Sequence, residues 1–444
     1  MNRKLFVLLS ALVLASLVLS ACGAPATEAP VVQTEAPAMT EAPAATEPSM
    51  PTEETVVIGF TSSLTGSQEV SSKRQVAGFN LWMQQVNDAG GIKLSNGTVV
   101  KFASHTYDDE SNKERVQELY TRLITEDNAD FLISPYSSGL TAAASIVAEQ
   151  NGKVMITAGA AEDDAYKTGN TSLFQLYTPG SLYLISTVDM LKTLDPEAKV
   201  AIVHENDKFS TAVVEGLKPY LESQGFEVVL EEGYASDTTD FGPVINKLVE
   251  SGATVLLGGG HYPDGSTFTR QLFERKAGLK FISLLVAPAD SKFSELGDAA
   301  VGVATSSQWE LSATHTQEEA AALGKEWYGP SGTDFAAAYE AATGEKPSYH
   351  VAGGYMAGLV LQKAIEAADS IDPDKVRAAL EAMDIFTFWG GVKFDTTPEA
   401  HGLQVGHVMV VAQWQKNEAG ELVRQVVWPA DVAIVPPLYP IPAP

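Results

Sequence analysis

Strand and helix signals alternate along most of this chain, and the alternation runs twice. "TVVIGF" (55–60) is a short β-branched run, and "QVAGFNLWMQQVNDAGG" follows it. There Val76, Phe79, Met83 and Val86 share one helical face, and Gly90-Gly91 stop the helix. "TVVKFASH" (98–105) is a strand, and "KERVQELYTRLITED" (113–127) is an amphipathic helix carrying Val116, Leu119, Tyr120, Leu123 and Ile124 on one stripe. "DFLIS" (130–134), a helix from Thr141 and "KVMIT" (153–157) complete the first series. A second begins at "KVAIVH" (199–204) and continues through a helix near 210–223, "FEVVL" (226–230), a helix near 240–250 and "ATVLL" (253–257). "KFISLLV" (280–286) and "GVAT" (302–305) extend it. Repeated βαβ units imply parallel sheets with helices on both faces, so two series imply an α/β protein of two doubly wound lobes. Residues 316–385 read as mainly helical, with Asp372-Pro373 as a cap and first helical position. "GGVKFD" (390–395) and "GHVMVVAQWQ" (406–415) are late strands, expected to join sheets already begun. The chain then crosses between lobes more than once, and a multi-strand connection is a natural hinge.

The amino terminus is not part of this pattern. Met1-Asn2-Arg3-Lys4 precede an apolar run from Leu5 to Ala21, a basic region followed by a greasy one, as in a secretory signal. The run falls short of the roughly 18–20 apolar residues of a spanning helix. An uncleaved anchor helix is the rival reading, and Cys22 separates the two. It is the single cysteine of the chain, so no internal disulfide can form. Leu19-Ser20-Ala21-Cys22 resembles a bacterial lipobox, which implies cleavage before Cys22 and acylation of its thiol. Two acyl chains give stable anchoring where one is marginal. Residues 23–54 repeat Thr-Glu-Ala-Pro, at Thr27–Pro30, Thr34–Pro37 and Thr40–Pro43. With almost no large apolar groups, this tract reads as a disordered, semi-rigid tether. The expected organisation is therefore a signal peptide over 1–21, a lipidated tether over 22–54 and a two-lobed body from 55. The chain carries 56 acidic and 29 basic side chains, a formal net charge of −27. That surface repels nucleic acid and anionic lipid, and its plain role is solubility.

Five further stretches carry a resemblance. "IGFTSSLTGSQEVSSKRQVAGFNLWMQQVNDAGGI", "YDDESNKERVQEL", "ISPYSSGLTAAAS", "KVMITAGAAEDDAY" and "HENDKFSTAVVEGL" occur in this order. Together with "FDTTPEAHGLQVGHVMVVAQWQ" they resemble type I periplasmic binding proteins of the branched-chain amino acid (leucine/isoleucine/valine) kind, the extracytoplasmic solute receptors of ABC importers. The resemblance spans nearly all of 55–430. It implies lobe 1 over 55–178 plus 311–402, lobe 2 over 179–310 plus 403–444, a small-molecule ligand, a permease partner in the membrane and no cofactor. An extracytoplasmic sensory module is the alternative of a different class, but the chain has no second membrane segment or signalling domain.

No His-Glu-x-x-His, Gly-x-Ser-x-Gly or Gly-x-x-x-x-Gly-Lys-Ser/Thr motif is present, so no enzyme chemistry is indicated. "LLGGGHYPDG" (256–265) lacks the lysine of a phosphate loop, and the seven histidines show no paired spacing for a metal. What remains is loops at the carboxyl ends of parallel strands, where open α/β sheets bind ligands. They are 61–72, which contains Ser71, then 134–141 and 157–164. Ser137 and Ser138 stand before a helix start, whose free amides and dipole favour a carboxylate. The bland reading of Ser138 is an N-cap, and Tyr136 beside it either lines a pocket or packs. The resemblance places the ligand-carboxylate serine on Ser137, backbone contacts on Gly159, Ala160 and Ala161, and aromatic walls on Phe209 and His261. It also places an ammonium-pairing acid at or near Ala287, where there is none. Asp290, Glu310 or an acid in 162–164 is the expected substitute, unless the ligand has no α-amino group. Trp82 and Met83 read as core, and Trp309, near the expected lobe crossover, either packs as core or rims the cleft.

Overall fold

The β-branched run that opens the folded body becomes a central strand. In the computed structural model, which describes residues 52–443, β1 (Glu53–Ser62) begins two residues earlier than its sequence signal. Val56, Ile58 and Phe60 of β1 are buried. The expected signal peptide, Cys22 and the expected tether as far as residue 51 lie outside the described residues. After β1 come α1 (Glu69–Asp88), β2 (Ile92–Lys93), β3 (Val99–Asp108), α2 (Lys113–Thr125), β4 (Phe131–Ile133), α3 (Ser138–Gln150), β5 (Met155–Thr157) and β6 (Leu173–Gln175). The sheet order is β2-β3-β1-β4-β5-β6, parallel except for β2. Winding reverses at β1, which has β3 on one side and β4 on the other. The carboxyl ends of β1 and β4 therefore flank a switch point.

The second series is α4 (Ile185–Leu194), β7 (Lys199–Glu205), α5 (Lys208–Ser223), β8 (Glu227–Tyr234), α6 (Gly242–Glu250), β9 (Val255–Gly259), α7 (Tyr262–Glu274), β10 (Phe281–Leu284) and β11 (Val303–Ser307). Then follow α8 (Gln317–Ala322), β12 (Glu326–Trp327), α9 (Gly332–Thr343), α10 (Tyr349–Ala368), α11 (Pro373–Glu381), β13 (Asp384–Thr387), β14 (Gly390–Lys393), β15 (Val410–Lys416) and β16 (Leu422–Trp428). The second sheet has the order β16-β15-β11-β10-β9-β7-β8, with β15 and β16 antiparallel. It reverses at β7, so its switch point lies between the ends of β7 and β9.

Two expectations are corrected, for a late strand and a helix start, and a third stretch finds its place. The late strand β14 joins neither large sheet. The tight turn at Phe388-Trp389 folds it back on β13, and with β12 they form a separate three-stranded sheet. The helix expected from Thr141 begins at Ser138. The glycine-rich "LLGGGHYPDG" closes β9 and then starts α7, because Pro263 sits at a first-turn position where its missing N–H has no cost.

α10 packs across α1 at very short range. Carbons added at Gly78 and Gly354 would strike the Val351 and Gln75 carbonyls, and one at Gly358 would strike the Trp82 ring. Trp82 is 1% exposed, and truncating so buried an indole to alanine costs about 3–5 kcal/mol. This packing brings the start of α10 under the first sheet's switch point. Three chain segments connect the halves: after β6, after β11 and before β15. They are tied together at Thr178, whose amide donates to Gln308 Oε1 at 3.0 Å and whose hydroxyl is hydrogen-bonded to His407 Nδ1 at 2.9 Å. Among the described residues no helix is long and apolar enough to cross a membrane.

Candidate functional site

Each switch point contributes one wall of a cleft. On the first side "SPYSSG" turns the chain from β4 into α3. Ser137 has φ 88° and ψ 147°, a conformation that costs a residue with a Cβ about 1–3 kcal/mol. Its amide donates to the Gly159 carbonyl at 3.1 Å, and its hydroxyl accepts from the Leu140 amide at a long 3.4 Å. The first α-helical bond of α3 runs from Thr141 N–H to Ser137 O, 2.9 Å. The amides of Ser138 and Gly139 precede that ladder, so the helix end carries partial positive charge. Ser138 Oγ accepts from the amides of Ala161 and Glu162, each at 3.2 Å, which locks the 159–162 loop to the helix start. A hydroxyl that accepts twice still has its own proton to donate. Ser138 is therefore more than an N-cap, and the capping oxygen belongs to Ser137.

Gly159 is required by close approach. A Cβ there would stand 2.7 Å from Tyr136 Cδ2 and collide with Gln75 Oε1. Tyr136 is buried; burial raises its phenol pKa strongly, against the opposing bond from the Ser71 hydroxyl. It stays a neutral donor.

On the second side β7 ends at Glu205 and leads through Asn206 to Asp207, and β9 ends at Gly259 and leads through Gly260 to His261. Asp207 Oδ1 caps α5 through the Ser210 amide at 2.8 Å, and its Oδ2 lies 3.0 Å from His261 Nε2. Burial disfavours a charged imidazole at His261, but the hydrogen bond to Asp207 and the charges of Asp207, Glu205 and Asp264 outweigh it, holding the pKa up at about 9. Burial likewise opposes ionisation of Asp207, yet the His261 bond and charge pull its pKa down to about 2. Glu205 and Asp264 are raised, chiefly by burial. Glu205, Asp207 and His261 offer ligand atoms within 4.8 Å of one another, the donor set among the described residues that could hold a cation.

The walls meet. Tyr136, Ser137, Ser138, Gly159 and Ala161 face Phe209, His261 and Val286 around a cavity of about 10 Å³, closed at its sides by Tyr177, Tyr183 and Tyr349. That is room for about one water. The Tyr136 and His261 rings are 5.9 Å apart, edge to face, so the halves must separate to admit anything larger.

Seven of the expected site residues line this cavity: Tyr136, Ser137, Ser138, Gly159, Ala161, Phe209 and His261. Two do not. Ala160 is buried with its carbonyl turned to Gln175 Nε2 at 3.4 Å, and Ser71 on α1 stands outside the lining, beside the Tyr136 hydroxyl. Trp309 is no rim residue. It is 3% exposed and packs edge-on against Phe335 and Phe388. The acids considered as substitutes near Ala287 are all engaged elsewhere. Asp290 lies against Arg74, Glu310 is held twice by Arg424, Glu162 accepts from the Asp164 amide and Asp163 from the Ser181 hydroxyl. Asp164 faces Lys167. Sequence reading missed Tyr177, Tyr183 and Tyr349, which look like core aromatics and come from a connecting segment and a helix start. It also missed the His261–Asp207 pair, whose members are 54 residues apart.

Comparison with known proteins gives a concordant result. A family described as "Periplasmic binding protein" matches residues 55–420. "Leu/Ile/Val-binding protein homolog 8" of Brucella abortus is 27% identical over 392 residues, 85% of this chain and 92% of that protein. Among solved structures, the substrate-binding protein of a branched-chain amino acid transporter from Streptococcus pneumoniae, in complex with isoleucine, superposes with a TM-score of 0.67 at 20% identity, covering 85% of this chain and 100% of that one. A solute-binding protein of an ABC transporter from Rhodopseudomonas palustris, in complex with 3,4-dihydroxybenzoic acid, gives 0.70 at 19% identity, covering 88% and 99%. At such identities the structures share the fold.

Proposed function

This chain belongs to the periplasmic binding protein family, and from that premise we propose that it is the extracytoplasmic solute-binding component of an ABC importer. It captures a small carboxylate-bearing solute between two lobes and hands it to a permease, without turnover. The observation that carries the reading is the convergence of both switch points on one cavity, with Ser137, Ser138 and the start of α3 on one wall and Phe209 and His261 on the other. A helix start with two serine hydroxyls suits a carboxylate. The ligands named for the two solved relatives, isoleucine and 3,4-dihydroxybenzoic acid, both carry one.

The lobes are 55–178 plus 311–402 and 179–310 plus 403–444, joined by the three segments that meet at Thr178. Lobe closure excludes water, and an unmatched buried polar group then bears its full desolvation cost, which sharpens discrimination. Cys22, acylated after signal cleavage, ties the receptor to the membrane through the Thr-Glu-Ala-Pro tether.

Native mass spectrometry of the purified protein should reveal a stoichiometric solute, and X-ray scattering should show a more compact envelope with that solute than after its removal. Identical envelopes and no bound solute would end this reading. Mass spectrometry of the membrane fraction should find a diacylated Cys22 terminus. A free Met1 terminus would remove the anchor while leaving the receptor intact.

A further inference from the structure

We propose that the end of the solute remote from its carboxylate carries an uncharged hydrogen-bonding group, a hydroxyl, carbonyl or carboxamide, and that the Tyr177 hydroxyl reads it. This rests on the cleft being the solute site and adds the chemical class of the solute's far end.

Three tyrosines, Tyr177, Tyr183 and Tyr349, close the sides of the cavity. Their hydroxyls are not equivalent. Those of Tyr183 and Tyr349 pair with each other at 3.2 Å. The other polar side chains of the lining are also engaged. The Tyr136 hydroxyl has Ser71 beside it, the His261 ring meets Asp207 and caps the start of α7, and Ser137 and Ser138 serve the start of α3. The Tyr177 hydroxyl is left. It is buried and without a partner, on a residue 3% exposed. Gln75 and His350 also hold unpartnered atoms, but neither lines the cavity.

Tyr177 is not free to turn towards a partner. Its ring stacks on Trp389, with centroids 5.6 Å apart and planes at 24°, and meets Tyr349 edge-on at 5.7 Å. The Trp389 indole donates to the Leu176 carbonyl at 3.3 Å. The backbone is held on both sides, by the Leu176 amide on the Thr157 carbonyl at 3.1 Å and by the Thr178 amide on Gln308. Gly353 of α10 makes room for the ring: a Cβ there would stand 2.7 Å from Tyr177 Cε1 and 3.0 Å from its hydroxyl.

A fixed, buried, unpaired hydroxyl bears its full desolvation cost in the empty closed form. A solute atom that bonds to it removes that cost on closure, and a methyl group in the same place leaves it. Such a site favours the hydrogen-bonding solute over its hydrocarbon isostere. The group is also uncharged. A phenol is neutral at pH 7, and the Trp389 and Tyr349 rings against it offer a buried charge no counter-ion.

Calorimetry on solute-free protein tests this with isosteric probes: leucine against asparagine, valine against threonine, and 4-methylbenzoate against 4-hydroxybenzoate. At least one polar member should bind about tenfold or more tightly than its hydrocarbon partner. Tyr177→Phe, which keeps the ring and its stacking, should cut that preference about fivefold or more. The same variant, free of solute, should melt no lower than wild type, since it gives up no internal bond. A clear fall in its Tm would show the hydroxyl bonded within the protein and overturn the inference. So would a smaller preference in every pair, or an unchanged preference in Tyr177→Phe, and each of these leaves the cleft reading intact. If none of the probes binds, the copurifying solute takes their place. One with no uncharged oxygen or nitrogen group beyond its carboxylate overturns the inference, as does one that binds wild type and Tyr177→Phe alike. No copurifying solute, or equal binding to wild type and Phe209→Ala, ends the cleft reading and the inference with it.

Discussion

Arg74 Nε, on α1 of the first half, lies 3.6 Å from Asp290 Oδ2, in the segment after β10 of the second. Both are largely buried, with side chains 14% and 3% exposed. Arg74 also meets Glu345 after α9. Asp290 Oδ1 is satisfied by the Lys292 amide, so its Oδ2 depends on Arg74. The pair exists only while the halves are together. Removing one partner of a buried ion pair leaves an uncompensated charge, here about 2–3 kcal/mol after allowing for Arg74's exposure. Arg74→Met is therefore expected to weaken solute binding by roughly 30-fold or more and to open the scattering envelope. Adding Asp290→Asn should recover part of the loss. Unchanged affinity and envelope in Arg74→Met would show that closure does not depend on this contact.

Ser137 separates binding from stability. Its backbone strain is relieved by glycine, which adopts positive φ freely. Ser137→Gly should stabilise the solute-free protein by about 1 kcal/mol, roughly 2 °C in Tm, yet lose the hydroxyl. Ser137→Ala keeps the strain and gives up only a 3.4 Å cap bond, so it should cost about 0.5 kcal/mol of stability and its Tm should fall little. Both variants should bind the copurifying solute about tenfold or more weakly, the loss expected for a hydrogen bond to a charged group. Calorimetry and thermal melts read the two effects apart. Wild-type affinity in both variants would remove Ser137 from the site.

The alternation of β-branched runs with amphipathic helices made both sheets legible, because each buried strand of a parallel sheet reads as an apolar run of its own. Elements without that signature were missed. β6 (Leu173–Gln175) has three residues, and α7 starts in "YPDGS", which looks like a turn. β14 looked like a sheet strand because a single strand's pattern does not name its neighbour. The site divides in the same way. Ser137, Ser138 and Gly159 sit on loops at strand ends, where topology concentrates binding groups, so their positions could be expected. Tyr177, Tyr183 and Tyr349 enter from elsewhere in the chain, and nothing local distinguishes a tyrosine facing a cleft from one in a core. Trp309 shows the converse: near a crossover in sequence, it is packed among Phe335 and Phe388.

Gly159 tests how tightly the first wall is packed. A methyl group there meets Tyr136 Cδ2 and the Gln75 amide, and Gln75 is anchored by donating to the Ser134 carbonyl at 2.8 Å. Neither neighbour is the free end of an exposed side chain, so the tyrosine must move. Gly159→Ala should destabilise by about 1–3 kcal/mol, as overpacking does, and should weaken solute binding as well. The neighbouring Ala160→Gly change, outside the cavity lining, should leave affinity near that of wild type. Equal affinity of Gly159→Ala and wild type would mean Tyr136 is not held against the solute.

Two buried histidines set the acid limit. His350 has neither ring nitrogen partnered and lies between the Tyr136 and Tyr349 rings. His407 keeps its Thr178 bond at the junction of the three connecting segments. Burial depresses both pKa values to about 3, against about 6.5 for an exposed imidazole. The unfolded chain therefore binds more protons below pH 6.5, and stability present above that pH is lost as pH falls from 6.5 towards 3. At pH 5 each histidine forfeits about 2 kcal/mol, about 4 kcal/mol together. His261 acts oppositely. Its raised pKa adds stability that is complete below pH 6.5 and disappears as pH rises through about 9, so it contributes no slope between pH 5 and 6.5. Glu205 and Asp264, raised by burial, favour the folded state on acidification and partly mask the loss. Comparison with a variant isolates the histidine effect. Denaturant melts of wild type and His350→Leu/His407→Gln at pH 7 and pH 5 should show the wild type losing more stability between the two pH values, by about 4 kcal/mol. Parallel losses would mean that these rings reach solvent and titrate normally in the folded protein.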